Sequence, residues 1–172
     1  MVRSRLNALA TGWAVGALLL VPSAALANDT DNVLVSAVVT NNCTITAAAL
    51  AFGNYDQVDV NAAAPLEGTG SVTVACTDGF SVTVTLDEGA TPNVGSSGIT
   101  PLREMTFNAE VLTYKLFSDS GRTTVWGDDV ASDVAFTGTG DGVALTIFGS
   151  VDPGQNIPAG TYNDTVVATV VF

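Results

Sequence analysis

Apolar and polar residues alternate with a period of two through most of this chain. Ser71-Val-Thr-Val-Ala-Cys76 and Phe80-Ser-Val-Thr-Val-Thr-Leu86 keep the alternation. Val111–Phe117, Val143–Phe148 and Thr165–Phe172 are rich in β-branched and aromatic residues. Turn-forming clusters separate these runs: Thr77–Gly79, Asp87–Gly98, Ser118–Gly121, Thr137–Gly142 and Asp152–Gly160. Short strands punctuated by such signals predict an all-β sandwich. The run Ala47-Ala48-Ala49 is too short to nucleate a helix and has strand-like flanks. No helix is expected after residue 27.

The first residues read differently. Arg3 and Arg5 precede the apolar stretch Gly12–Val21, and small residues end in Ala25-Leu26-Ala27. A basic start, a short apolar middle and an A-x-A ending predict a secretory signal peptide over residues 1–27. The apolar stretch falls short of the ~20 residues a membrane span needs. No span is expected in the mature chain.

Residues 28–41 form an N-terminal extension. Its polar start, Asn28-Asp-Thr-Asp-Asn32, leads into Val-Leu-Val-Ser-Ala-Val-Val39. Val33, Val35, Ala37 and Val39 share one face of an extended strand, and Leu34 and Val38 add apolar groups on the other. This is either an ordinary first strand or a strand meant for another subunit's sheet edge. The strand Thr165–Phe172 is correspondingly either a protected edge or an acceptor.

Composition narrows the chemistry. The 172 residues include 17 Asp and Glu, 5 Lys and Arg, two Cys and no His, with a net charge of −12. Without His there is no Ser-His-Asp or Cys-His arrangement and no imidazole-ligated zinc. Two cysteines cannot make a four-cysteine zinc or iron–sulfur site. The acidic balance opposes a nucleic-acid partner held by its phosphates. In an exported chain Cys43 and Cys76 most simply pair. Their 33-residue separation closes a loop that chain entropy values at roughly 3–4 kcal/mol. The alternative, a reactive thiol, lacks a basic neighbour to lower its pKa. Asp87-Glu88, Asp128-Asp129 and Asp141 read as solvated turn acids, because adjacent strand residues face opposite sides. No calcium-loop spacing surrounds them. Gly138–Gly142 lacks the lysine of a phosphate loop. Lys115 reads as a surface residue and Trp126 as a buried sandwich aromatic. The expected protein is not an enzyme and carries no cofactor or metal.

Several ordered motifs are family-specific. Cys43-Thr-Ile45, Phe52-Gly-Asn-Tyr55, Gly68-Thr-Gly-Ser-Val72 and Cys76-Thr77 lie in the first half. Arg103-Glu-Met105, Leu112–Phe117, Arg122–Gly127 and the stretch Gly149–Thr165 follow in the second. The set covers nearly all of the mature chain. It resembles the spore coat protein U domain family, whose members include archaic chaperone–usher pilins.

The resemblance implies an immunoglobulin-like β-sandwich over residues 42–172 that lacks its last strand and is completed by a donor strand from another subunit. A periplasmic chaperone would lend a strand, and an outer-membrane usher would exchange it for the extension of the next identical or related pilin subunit. The fibre would stand outside the cell, supporting adhesion or biofilm formation. Carried onto this sequence, the donor residues are Val33, Val35, Ala37 and Val39. Val167, Thr169, Val171 and Phe172 are expected at the acceptor groove and chaperone contact, with the carboxylate of Phe172 as an anchor. One departure is Ser150, where many relatives carry a basic residue near a tyrosine and glycine; it leaves the surface unusually acidic. A secreted spore- or cell-coat protein and an adhesive tip-type binding module are the alternative functions.

Overall fold

The computed structural model describes residues 28–172. The signal peptide expected over residues 1–27 lies outside the described residues. Residues 28–37 fall in a different unit from the residues after them, and they are exposed and without regular secondary structure.

From Val38 onward the chain makes two antiparallel sheets. The strands are β1 (Cys43–Ala48), β2 (Leu66–Cys76), β3 (Ser81–Leu86), β4 (Arg103–Phe107), β5 (Glu110–Phe117), β6 (Val134–Thr137), β7 (Gly142–Val151) and β8 (Ala168–Val171). The larger sheet has the order β1-β2-β7-β5-β4, and the smaller has β6-β3-β8. The expected all-β sandwich is the observed architecture. Alternation drives it: Val72, Val74 and Cys76 of β2 point inward with Val82, Val84 and Leu86 of β3. Trp126 completes the core at 1% exposure, and its Nε1–H donates to the Val84 carbonyl at 2.9 Å.

The differences from the sequence reading have specific causes. A single helical turn, α1 (Val60–Ala63), interrupts the β pattern. It is held by Asn61, whose side chain is buried, accepts from the Asp56 N–H and donates to the Ala64 carbonyl. Strand β2 extends back through Gly70 and Gly68 to Leu66, five residues before the alternation that begins at Ser71. Their pairing with β7 (Gly68 opposite Gly149, Gly70 opposite Ile147) keeps them in the ladder. At the other extreme, β8 starts only at Ala168, three residues later than the alternation suggests. The Asp87 side chain takes over the pairing just before it: Oδ1 accepts the Val167 N–H at 2.9 Å, while the Asp87 N–H donates to the Val167 carbonyl.

Candidate subunit-assembly cleft

Strand β1 is an edge of the larger sheet and pairs with β2 from Cys43↔Cys76 to Ala48↔Ser71. Strand β8 is an edge of the smaller sheet and pairs with β3 from Thr83↔Val171 to Leu86↔Ala168. The two edges come within 8 Å of each other, Cα to Cα, but no ladder joins them among the described residues. A cleft in two compartments opens beside them, and only the inner one touches both edges, at Ala47, Ala48 and Ala168. The inner one, about 400 Å³, reaches the core residues Val72, Leu86, Leu116 and Ile147. The outer one, about 810 Å³, lies between residues 50–57 and 157–163 and is floored by Met105, Leu112 and Val151. Leu50, Phe52 and Tyr162 line both. An open strand edge is a template for another strand.

Glycines shape the floor. Gly70 and Gly149 present bare backbone to the interior, where Leu50 and Phe52 lie down on the larger sheet. A Cβ at Gly70 would stand 2.8 Å from the Leu50 Cβ, and one at Gly149 would stand 2.6 Å from the Phe52 ring. Phe52 then meets Tyr114 edge-on, with centroids 5.9 Å apart. These two side chains cover part of the interior where the smaller sheet provides no strand.

The polar groups near the cleft tie its walls together. The Tyr114 hydroxyl donates to Asp164 Oδ2 at 2.6 Å, and Asp164 Oδ1 accepts the Ala90 N–H at 2.9 Å. Burial, reinforced by this hydrogen bond to a carboxylate, pushes the Tyr114 hydroxyl well above the usual tyrosine range. Arg103 is almost fully buried. Its Nε donates to the Asp87 carbonyl at 2.8 Å, and Nη2 donates to the Leu86 and Trp126 carbonyls at 2.9 and 2.8 Å. Desolvation lowers its pKa from the ordinary arginine value. At the outer compartment the Tyr55 hydroxyl donates to the Asp152 carbonyl, and Gln57 Oε1 accepts the Ile157 N–H.

The sequence-expected positions fall as follows. Cys43 and Cys76 are disulfide-bonded, directly opposite in the β1–β2 ladder, with Cα atoms 4.1 Å apart. Val33, Val35 and Val39 are 86%, 85% and 85% exposed, and Ala37 is exposed as well; so are Leu34 and Val38. Thus both faces of this apolar segment are uncovered. On the terminal strand the expected set stands on the outer side: Val167, Thr169 and Val171 are exposed. Phe172 stacks edge-on against Phe80 at 5.5 Å and remains largely exposed. The side facing the core carries Val166, Ala168 and Val170. The two sets are one residue out of phase, which in a strand puts them on opposite faces. Lys115 pairs with Asp152 at 2.8 Å on the surface. Asp128 and Asp129 lie in a turn, the Asp128 N–H donating to the Gly98 carbonyl.

Sequence reasoning missed the wall residues Leu50, Phe52 and Tyr162. Their only signal was large apolar or aromatic residues beside glycines, which pack on glycine-bared backbone.

The Spore Coat Protein U domain family model matches residues 29–169. Over 174 aligned residues, 96% of this chain and 97% of the relative, the sequence is 39% identical to Protein U of Myxococcus xanthus. Among solved structures, similarity extends to the CsuC–CsuE chaperone–tip adhesion subunit pre-assembly complex of the archaic chaperone–usher Csu pili of Acinetobacter baumannii. That match is 23% identical, has a TM-score of 0.48 and covers 78% of this chain. This chain spans 40% of the length of that one. By the family match and the near-complete alignment to Protein U, the chain belongs to the Spore Coat Protein U domain family.

Proposed function

We propose that this protein is a structural subunit of a chaperone–usher fibre that polymerises by donating its N-terminal extension to the cleft of the next subunit. The observation that carries the reading is the cleft itself, two unpaired strand edges flanking an opening onto core residues. The same chain carries an uncovered apolar segment, Val33–Val39. A donated strand would satisfy backbone groups on both edges and bury apolar surface in one step. Val33, Val35, Ala37 and Val39 are the donor residues facing the interior, and Val166, Ala168 and Val170 line the acceptor wall. The exposed groups of Val167, Thr169, Val171 and Phe172, with the terminal carboxylate, are offered to the chaperone. A contact between two different surfaces of identical subunits builds an open filament rather than a closed dimer. In this reading the chaperone meets the subunit in the periplasm, the usher exchanges the strand, and the fibre is extracellular.

The test is an unheated SDS gel of material sheared from cells producing the protein with its chaperone and usher. A ladder that collapses on boiling and disappears in the Val35→Asp/Ala37→Asp variant is expected. A monomer band in both samples sinks the reading. The description of the matching family, Spore Coat Protein U domain, favours one alternative, deposition as a secreted coat protein. That alternative predicts the monomer band together with retention of the protein at the cell or spore surface.

A further inference from the structure

The cleft carries the one methionine thioether that follows Met1 in the chain. Arg103, Met105 and Phe107 share the inward side of β4 by alternation. Arg103 is buried in the core, and Phe107 packs on Tyr162 with ring centroids 5.6 Å apart. Met105, opposite Leu112 in the ladder, is only partly buried and lines both compartments. Other oxidisable groups are closed off: Cys43 and Cys76 are joined to each other, and Trp126 is 1% exposed. Compartments of about 810 and 400 Å³ far exceed the ~15 Å³ that one water needs, so a peroxide molecule reaches the sulfur.

We infer that Met105 is a modification site, oxidised by peroxide to the sulfoxide while the cleft is open and shielded once a strand fills it. The shielding rests on the strand-donation reading, because the inner compartment that Met105 shares with Val72, Leu86 and Leu116 is the donor's place. In the reaction the peroxide O–O bond breaks and one oxygen bonds to Met105 Sδ. The thioether gives up two electrons and the peroxide is reduced. The proton of the transferred oxygen passes to the departing oxygen, which leaves as water. The product is a polar, chiral group in place of a flexible apolar one. Its oxygen needs a hydrogen-bond donor. The two tyrosine hydroxyls of the inner compartment are already committed, Tyr114 to Asp164 and Tyr162 to the Pro158 carbonyl. Covering the sulfoxide with a donor strand therefore buries an unsatisfied polar group, which is costly. Oxidation thus disables the open subunit and spares the assembled one, until enzymatic reduction restores the thioether.

The test treats two forms of the full mature chain with hydrogen peroxide: purified monomer, and sheared, heat-sensitive polymer. Peptide mass spectrometry is expected to find Met105 sulfoxide forming on the order of tenfold faster in the monomer. The oxidised monomer should then take up a peptide of residues 30–40 about tenfold more weakly than untreated monomer. Methionine sulfoxide reductases acting on both epimers should restore uptake. Met105→Leu, compared only with itself, should take up the peptide equally before and after peroxide. Equal sulfoxide formation in monomer and polymer overturns the gating, and undiminished uptake by the oxidised monomer overturns its consequence. Loss of uptake after peroxide in Met105→Leu as well places the damage elsewhere and overturns the assignment. Failure of untreated monomer to take up the peptide overturns strand donation itself, and the shielding with it.

Discussion

The hydroxyl of Tyr114 and the carboxylate of Asp164 meet at 2.6 Å, joining β5 of the larger sheet to the segment that leads into β8 of the smaller one. Asp164 also receives the Ala90 N–H, so one side chain positions three parts of the chain. Tyr114→Phe removes a hydrogen bond to a charged group and leaves part of the carboxylate unsatisfied. A loss of about 1.5–3 kcal/mol is expected, measured by denaturant unfolding of the subunit complemented with a peptide of residues 30–40.

The same tyrosine predicts an alkaline transition. Its folded pKa is raised, chiefly by burial, whereas an unfolded tyrosine ionises near pH 10. The resulting stabilisation is complete below about pH 10 and is lost as pH rises from there toward the folded value. The slope from one such group is about 1.4 kcal/mol per pH unit. Unfolding curves between pH 9 and pH 11 should therefore fall more steeply for the native chain than for Tyr114→Phe. Parallel curves would contradict it.

Phase along the terminal strand can be read by charge insertion. Val166→Asp or Val170→Asp places a carboxylate on the side facing the core, where an unpaired charge is costly, and should abolish the heat-sensitive ladder. Thr169→Asp stands on the outer side and should leave a purified subunit able to take up a peptide of residues 30–40 without the chaperone. Loss of peptide uptake with Thr169→Asp alone would return the acceptor wall to the outer face.

The glycine floor predicts a packing effect. Gly149→Ala puts a methyl group 2.6 Å from the Phe52 ring. The ring must move off its seat, at a cost of about 1–3 kcal/mol for overpacking. The double variant Gly149→Ala/Phe52→Leu should recover part of that loss in thermal unfolding of the complemented subunit. Equal losses in the single and double variants would show that the ring is not the obstacle.

Cys43→Ser/Cys76→Ser removes the cross-link at the root of the extension. Opening a loop of this length is expected to cost roughly 3–4 kcal/mol, seen as a lower unfolding midpoint. The ladder itself should still form when the chaperone is supplied, because Ile45 of β1 and Val166, Ala168 and Val170 beside the core are unchanged.

Much of the architecture was legible from alternation alone. Strands β2, β3, β5 and β7 follow runs of β-branched residues, and the turn at Thr77–Gly79 follows its glycine. These features are local: a period of two and a residue at positive φ depend on neighbours within a few positions. The cysteine pair was legible for a different reason, since two thiols in an exported chain have one simple partner each. The boundary of β8 was not, because Asp87 sits 80 residues before Val167 and replaces a backbone partner with a side chain. Arg103 was likewise unreadable as a core residue. Its burial depends on the carbonyls of Leu86, Asp87 and Trp126, which no local pattern announces.

By itself, then, the sequence determined the β class, the disulfide partners, the apolar character of Val33–Val39 and membership of a family, all of which rest on residue type and short spacing. Tertiary structure alone decided which face of residues 166–171 turns inward, how Leu50 and Phe52 settle on bare glycine backbone, and where two strand edges stand apart over the core. Those outcomes depend on register between distant strands. A shift of one residue exchanges every side chain between interior and solvent while leaving the pattern of the sequence unchanged.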